Sequence, residues 1–189
     1  MPHSVCPWWI GYALLSPFRR WGQDPRRILE PLVRPGMTVV DVGCAMGFFT
    51  LPMARLVGPT GRVVAVDLQA RMLRTLERRA RRADLSTIIE TRGCAADSLG
   101  LTDLAGRVDF ALLFAVAHEV PDVQCLMAEL AALLSPTGRA LLAEPSGHVT
   151  AEELDAELAA AEAAGLTVET RPTIARSRAV LLALARGGC

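Results

Sequence analysis

The chain of 189 residues contains no lysine and no asparagine, so all 20 residues of its Lys+Arg count are arginine. The absence of lysine excludes Schiff-base catalysis and a Walker A phosphate loop, which ends in Gly-Lys-Ser/Thr. The absence of asparagine excludes N-glycosylation at Asn-x-Ser/Thr and any catalytic asparagine. These exclusions hold even if the two absences arose only through drift in composition.

Aromatic residues are also scarce, at 5%, whereas hydrophobic residues make up 51%. This composition predicts one domain with a core of alanine, valine and leucine. A formal net charge of +0 provides no overall field that attracts nucleic acid or an anionic membrane. The five cysteines include no CxxC pair, which argues against a disulfide framework or a zinc ribbon. With no signal peptide and no apolar run of about 18 residues, we expect a soluble, cytoplasmic protein without a transmembrane segment.

From about residue 37 onward, short β-branched runs alternate with segments of helical spacing. Such alternation predicts a parallel sheet with helices on both faces, which forms the core, residues 37–189, of a single domain of residues 1–189. The last two strands have no helix between them and should pair antiparallel. Residues 1–36 are predicted to form a helical N-terminal arm. The predicted strands are residues 37–42, 63–66, 87–91, 108–114, 139–143, 166–170 and 179–185, and the predicted helices are 48–57, 69–83, 122–134 and a last one that begins near Thr150.

A loop of small residues joins the first strand to the first helix of this pattern, at residues 41–47 (DVGCAMG). Small residues let the backbone approach a ligand closely, and a helix N-terminus favours a negative group. Asp67 ends the second strand, where an acidic side chain can accept hydrogen bonds from ribose hydroxyls. Asp97 follows the third strand and can accept from an exocyclic amine. Ligands of open α/β sheets bind at this edge, beyond the carboxyl ends of the strands.

Together these motifs resemble the class I S-adenosylmethionine-dependent methyltransferases, in the small-molecule branch related to quinone biosynthesis. The resemblance covers about residues 28–185 and implies a Rossmann-like three-layer α/β/α sandwich with strand order 3-2-1-4-5-7-6. An NAD site fits less well, because the loop lacks the Gly-x-Gly-x-x-Gly spacing. The matching motifs are residues 39–47 (VVDVGCAMG), 63–68 (VVAVDL), 95–97 (AAD), 109–118 (DFALLFAVAH) and 133–139 (LLSPTGR).

The resemblance further implies that the cofactor is S-adenosylmethionine, with S-adenosylhomocysteine as its product. Asp41 would reach the amino group of the methionine moiety, Asp67 would hold the ribose, and Asp97 would contact the adenine edge. Ala45 stands where the family usually has the middle glycine of the loop. The full set of expected cofactor-binding residues is Asp41, Gly43, Cys44, Ala45, Gly47, Asp67, Leu68, Ala96, Asp97 and Phe114.

The expected acid–base residues follow strands four and five or lie in the arm: His118, Glu119, His148 and Tyr12. His118 has a side-chain pKa suited to a general base, although a structural role is the alternative. Glu144, with His118 and His148, would offer two imidazoles and a carboxylate to a metal. No spacing motif supports such a site, so we predict a polar pocket wall and no metal.

The arm contains the segment around Trp8, Trp9 and Tyr12, which holds two of the three tryptophans and the only tyrosine. By resemblance, this segment would lie over the active site as a lid and cover an apolar or planar acceptor. The alternatives are packing on the domain or on a second subunit, as in a homodimer, and an interfacial membrane anchor.

The acceptor is predicted to be a small molecule rather than nucleic acid. The missing lysine excludes the catalytic lysine of some RNA ribose methyltransferases, and the Asn/Asp-Pro-Pro-aromatic motif of amino-methylating DNA enzymes is absent after strand four. The arginine-rich face of residues 71–82 is interpreted as a solvated helix surface. RNA or protein methylation, or cofactor binding without turnover by a regulatory protein, remain as alternatives.

Overall fold

The computed structural model describes residues 22–185, so the predictions for Tyr12 and for the tryptophans of the arm lie outside the described residues. Of the predicted arm, residues 22–36 contain one short helix, α1. The helices are α1 (Pro25–Leu29), α2 (Thr50–Val57), α3 (Ala70–Arg82), α4 (Val123–Leu133) and α5 (Ala151–Ala163). The strands are β1 (Thr38–Val42), β2 (Arg62–Asp67), β3 (Ile89–Gly93), β4 (Val108–Phe114), β5 (Leu134–Pro145), β6 (Leu166–Thr170) and β7 (Ser177–Leu184).

The seven strands form one sheet in the order β3-β2-β1-β4-β5-β7-β6, which confirms the predicted order. Strands β1 to β5 pair in parallel, whereas β7 runs antiparallel to both β5 and β6. The Rossmann-like α/β fold class is thereby confirmed. None of the described helices combines the length and the apolar character needed to cross a membrane.

The core consists of two apolar clusters, one on each face of the sheet. Successive residues of the central strand β4 point to opposite faces, so Phe110 and Leu112 join one cluster while Ala111 and Leu113 join the other. A central strand buried on both faces is mostly apolar, so β4 shows no alternation and carries its one charged residue, Asp109, near its start.

Several element boundaries differ from the prediction. Helix α2 begins at Thr50 rather than at residue 48, because the turns of the preceding loop, with Gly47 at a left-handed φ of 84°, continue through Phe49. Strand β3 spans Ile89–Gly93, which is shifted by two residues from the predicted range of 87–91. Strand β5 begins at Leu134, the last residue of the predicted helix 122–134, because Leu134 pairs with Val108 across an irregularity in the ladder. The capping box of α5 is present, with Thr150 and Glu153 exchanging both hydrogen bonds.

Parallel pairing places the carboxyl ends of β1, β2, β3, β4 and β5 at one edge of the sheet. The link before β7 reaches the same edge, because Ser177 pairs with Pro145 at the end of β5. The loops that follow these strands therefore meet around one space.

Candidate cofactor and acceptor site

A cavity of about 710 Å³ opens at this edge of the sheet. Nine of the ten residues expected to bind the cofactor line it, and Gly47 is the exception. A Cβ atom on Gly47 would come within 2.4 Å of Leu76 Cδ1, so this glycine serves the packing of the loop on α3. The expected acid–base residues His118, Glu119 and His148 also line the cavity. The fold thus brings the predicted site residues together, apart from Gly47 and from Tyr12, which is not described.

The loop after β1 has left-handed backbone at three positions, with φ of 66° at Gly43, 47° at Ala45 and 84° at Gly47. Gly43 also lies so close to Val116 that a Cβ atom would come within 2.6 Å of Cγ2 of that valine. Glycine is favoured at position 43 by its φ, and this contact leaves no room for a side chain. Ala45 adopts the same conformation in spite of its Cβ atom, at a cost that its surroundings must offset.

Asp67, at the end of the neighbouring strand β2, holds this loop in place through a hydrogen bond. Its Oδ2 accepts a hydrogen bond from the amide of Ala45 at 2.9 Å, and its Oδ1 accepts from the amide of Gln69 at 2.8 Å. The side chain is only 8% exposed, and burial raises the pKa of this carboxyl above its usual value. Because each carboxylate oxygen has two lone pairs, one acceptor position on each oxygen remains for a ligand.

Asp41 lies at the floor of the cavity and is almost fully buried. The Thr50 hydroxyl, at the first position of α2, donates a hydrogen bond to its Oδ2. Burial raises the pKa of Asp41 to about 7, although the Thr50 hydrogen bond opposes the shift. Thr50 is a site residue that sequence reasoning missed, and its place at the start of the helix after the loop was the available signal.

The end of the cavity near β2 and β3 combines the apolar side chain of Leu68 with the acidic side chain of Asp97. Leu68 is 43% exposed, although it is a large apolar side chain. Ala96 and Asp97 lie in an exposed turn closed by a bridge between Ala95 and Ser98. An exposed leucine beside such a turn offers an apolar surface for a flat ring, and the turn offers polar groups to its edge.

The most extensive polar contact of the site joins His118 to Glu144. Glu144 is fully buried, and its Oε1 accepts hydrogen bonds from the amides of Val116, at 3.3 Å, and Ala117, at 2.9 Å. Its Oε2 contacts His118 Nδ1. The hydrogen bond to Glu144 raises the pKa of His118 above its usual value, against the opposing effect of burial.

Because a carboxylate only accepts, the Nδ1 of His118 carries a proton in this contact. The second ring nitrogen, Nε2, is then the only one left to exchange protons with a ligand. His118 itself lines the cavity, and its ring centroid lies 6.4 Å from that of His148. Sequence reasoning considered Glu144 as a metal ligand or as part of a polar pocket wall, and missed its contact with His118.

Within residues 22–185, no group of three or more His, Cys, Asp or Glu side chains is arranged to hold a metal ion. Both oxygens of Glu144 already engage groups of the protein. His118 and His148 line the cavity, and the buried Glu144 lies behind His118.

Comparison with known proteins identifies a family. A model described as "Methyltransferase domain" matches residues 34–174. The nocamycin O-methyltransferase of Saccharothrix syringae is 36% identical over 121 residues, which are 64% of this chain and 42% of that protein. A demethylmenaquinone methyltransferase of Lactobacillus johnsonii is 28% identical over 114 residues, 60% of this chain and 46% of that protein. The chain spans less than half the length of these two relatives.

Among solved structures, a SAM-dependent methyltransferase from Aquifex aeolicus superposes with a TM-score of 0.83 at 22% identity, covering 96% of this chain and all of that one. The family match covers most of the chain, and the superposition covers nearly all of it. The chain therefore belongs to the methyltransferase domain family and has the fold of the class I S-adenosylmethionine-dependent methyltransferases.

Proposed function

We propose that this chain transfers a methyl group from S-adenosylmethionine to a small, largely apolar or planar metabolite. The observation that carries this proposal is one continuous cavity. A glycine-rich loop and two buried aspartates line one part of it, and an imidazole paired with a buried glutamate lines another.

The residues at the first part fit S-adenosylmethionine. Asp41 offers a carboxylate to the amino group of the methionine moiety, and Asp67 has two lone pairs left for the ribose hydroxyls. Leu68 offers an apolar surface to adenine, with Ala96 and Asp97 at the ring edge. Gly43 leaves the backbone open to close approach, and Phe114 ends β4 beside this loop.

S-adenosylmethionine, when bound, supplies a methyl group on a positively charged sulfur, from which an acceptor atom displaces it in line. The protein contributes by holding the acceptor in line with the methyl group and by excluding water. Phe48, Phe49 and Phe114 line the cavity and give it apolar walls. Apolar walls favour an acceptor with an apolar or planar body.

His118 is the proposed general base. Its Nδ1–H is held by Glu144, so that Nε2 can accept a proton from a hydroxyl or a protonated amine of the acceptor. The charged imidazolium that results is stabilised by the buried carboxylate of Glu144. This agrees with the raised pKa of His118. Glu144 thus positions the base and does not touch the acceptor. Glu119 and His148 are the other candidates at this wall.

The size of the site and the two relatives support a small-molecule acceptor. Nocamycin O-methyltransferase and demethylmenaquinone methyltransferase are both named for small-molecule chemistry. Between β6 and β7 the chain has only a short link, at residues 171–176, and no inserted substrate domain. The acceptor space is therefore built from the strand-end loops, and the N-terminal arm of residues 1–36 is the proposed lid.

The test uses the full chain, methyl-labelled S-adenosylmethionine and three acceptor pools: a metabolite extract, total RNA and a protein extract. We expect label in small molecules, a loss of about 100-fold or more in His118→Gln, and no label in RNA or protein. Label in RNA or protein alone would contradict the acceptor class. Cofactor binding without label in any pool would favour a regulatory protein.

Three finer expectations belong to this proposal. A homodimer is tested by light scattering of the purified chain, and a cytoplasmic location by fractionation of cells that produce it. The lid is tested with Tyr12→Phe and Trp9→Ala, which should weaken acceptor binding and leave the affinity for S-adenosylhomocysteine unchanged.

A further inference from the structure

Arg176 is the only arginine among the described residues that line the cavity, and the chain has no lysine. It directly precedes β7, at the opposite end of the carboxyl edge from Asp67 on β2. Four strand spacings of about 4.8 Å separate β2 from β7, which amounts to about 19 Å. The backbone of Arg176 thus lies far from the backbone of the aspartates assigned to the ribose and the adenine edge.

The backbone around Arg176 is fixed by several hydrogen bonds. The carbonyl of Arg176 accepts from the amide of Ser146 at 3.0 Å, and the carbonyl of Ala175 accepts from Gln23 Nε2 at 3.1 Å. The amide of Ser177 donates to the carbonyl of Ile174 at 3.1 Å. These hydrogen bonds therefore fix the backbone position from which the Arg176 side chain extends.

Arg176 also has a φ of 59°, in the left-handed region that favours glycine. Four described residues other than glycine have such a φ, and three of them, Ala45, Ala115 and Arg176, line the cavity. A strained residue persists where surrounding contacts enforce it, and such residues concentrate at functional sites. Glycine would relieve the strain at position 176 but would remove the positive charge.

Arg176 is an exposed residue, and no carboxylate of residues 22–185 forms an ion pair with it. Other partly exposed arginines of the sheet do have such partners, as Arg92 has in Asp103 and Arg139 in Glu169. An arginine at a cavity wall with no acidic partner in the described chain is available to bind an anion, and its planar fork suits a carboxylate.

We propose that Arg176 binds a carboxylate on the methyl acceptor, which makes the acceptor a small acid with an apolar or planar body. The proposal rests on the proposed function and narrows its substrate class. It adds an acidic group to the apolar or planar acceptor proposed above. His148, which follows β5 and lines the same cavity, would lie beside the bound acid.

The experiment measures the affinities of benzoate and benzamide by ligand-observed NMR, with S-adenosylhomocysteine present. The two probes have similar shape and differ in charge. In the wild-type chain, benzoate should bind about tenfold more tightly than benzamide. This preference should disappear in Arg176→Gln and in Arg176→Gly, of which the second also relieves the backbone strain. Arg171→Gln, an exposed arginine of the same link that does not line the cavity, should keep the preference.

Two results would overturn the proposal. One is a wild-type chain that binds S-adenosylhomocysteine but shows no preference for benzoate, or a preference that survives in Arg176→Gln. The other is a weaker affinity of Arg176→Gln for S-adenosylhomocysteine, which would mean that Arg176 holds the carboxylate of the cofactor itself. Failure of the wild-type chain to bind S-adenosylhomocysteine would instead contradict the proposed function.

Discussion

The carboxylate of Asp67 accepts a hydrogen bond from the amide of Ala45, at 2.9 Å, and so joins the end of β2 to the loop that follows β1. Ala45 has a φ of 47°, which costs an alanine about 1 kcal/mol or more. A hydrogen bond to a buried carboxylate is of the size needed to offset that cost. This contact explains how the loop keeps its shape with alanine at the position where a glycine is usual.

Substitution of Gly43 tests the shape of the loop. In Gly43→Ala the new Cβ atom meets Val116 at 2.6 Å and the backbone has a φ of 66°, so we expect a lower free energy of unfolding and weaker binding of S-adenosylhomocysteine. Gly100→Ala is the matched control, because Gly100 has the same φ but open space around it. Gly43→Ala should lose about 2 kcal/mol more than the control, measured by urea denaturation. Equal losses would show that the contact with Val116 is unimportant.

The buried carboxyl of Asp41 should make cofactor binding depend on pH. A protonated Asp41 cannot pair with a positively charged amino group, so with a pKa of about 7 the affinity for S-adenosylhomocysteine should fall as the pH drops from 7.5 to 5.5. Asp41→Asn should bind more weakly at pH 7.5 and should change less over this range. Calorimetric titrations at several pH values measure both effects. An identical pH dependence in the variant would exclude Asp41 as its source.

Glu144→Gln tests whether His118 needs Glu144 to orient its ring, because the variant keeps the imidazole but changes its hydrogen-bond partner. An amide at this position can donate to Nδ1 and thereby place the imidazole proton on Nε2, where a base needs a lone pair. We expect kcat to fall by about 100-fold or more, nearly as far as in His118→Gln. The chemical shifts of the ¹⁵N-labelled imidazole should report the change of tautomer. An unchanged tautomer with full activity would remove Glu144 from the mechanism.

Glu157 on α5 should destabilise the fold at neutral and higher pH. It is 6% exposed, and its Oε2 has no hydrogen-bond partner among the described residues. Burial, with a further contribution from the charge of Glu144, raises its pKa to about 7, compared with 4.5 for an unperturbed glutamate. The folded state therefore binds the proton more tightly than the unfolded state, and stability falls as the pH rises through this interval.

Glu157→Gln should accordingly raise the free energy of unfolding by about 1–3 kcal/mol at pH 8. The gain should shrink as the pH falls below 7 and vanish below about 4.5. Asp155→Asn, on the exposed face of the same helix, is the control and should change stability by less than about 0.5 kcal/mol. A gain that is independent of pH would show that the charge of Glu157 is not the cause.

The sequence allowed the fold and most of the cofactor part of the site to be predicted. Glycines and acidic residues at the ends of apolar strands are local signals, and parallel pairing brings those ends to one edge whatever the details of packing. Asp41, Gly43 and Asp67 were recognisable for this reason. The strand order followed from the resemblance and was confirmed.

The remaining parts depend on contacts between distant residues. Glu144 and His118 are 26 residues apart, and only the register of β5 on β4 brings them together. Thr50 is identified by its contact with Asp41 and not by any motif. The left-handed turn at Arg176 gives no signal in the sequence, because arginine is not a residue expected at such a φ.

The central claim is that the cavity binds S-adenosylmethionine through Asp67 and the loop that it secures. Calorimetric titration of the full chain with S-adenosylmethionine tests this most directly, with Asp67→Ala as the variant and Asp155→Ala as the control. We predict binding of one molecule per chain, weakened about 10- to 100-fold in Asp67→Ala and unchanged in the control. Absence of binding in the wild-type chain, or equal affinity in Asp67→Ala, would contradict the account.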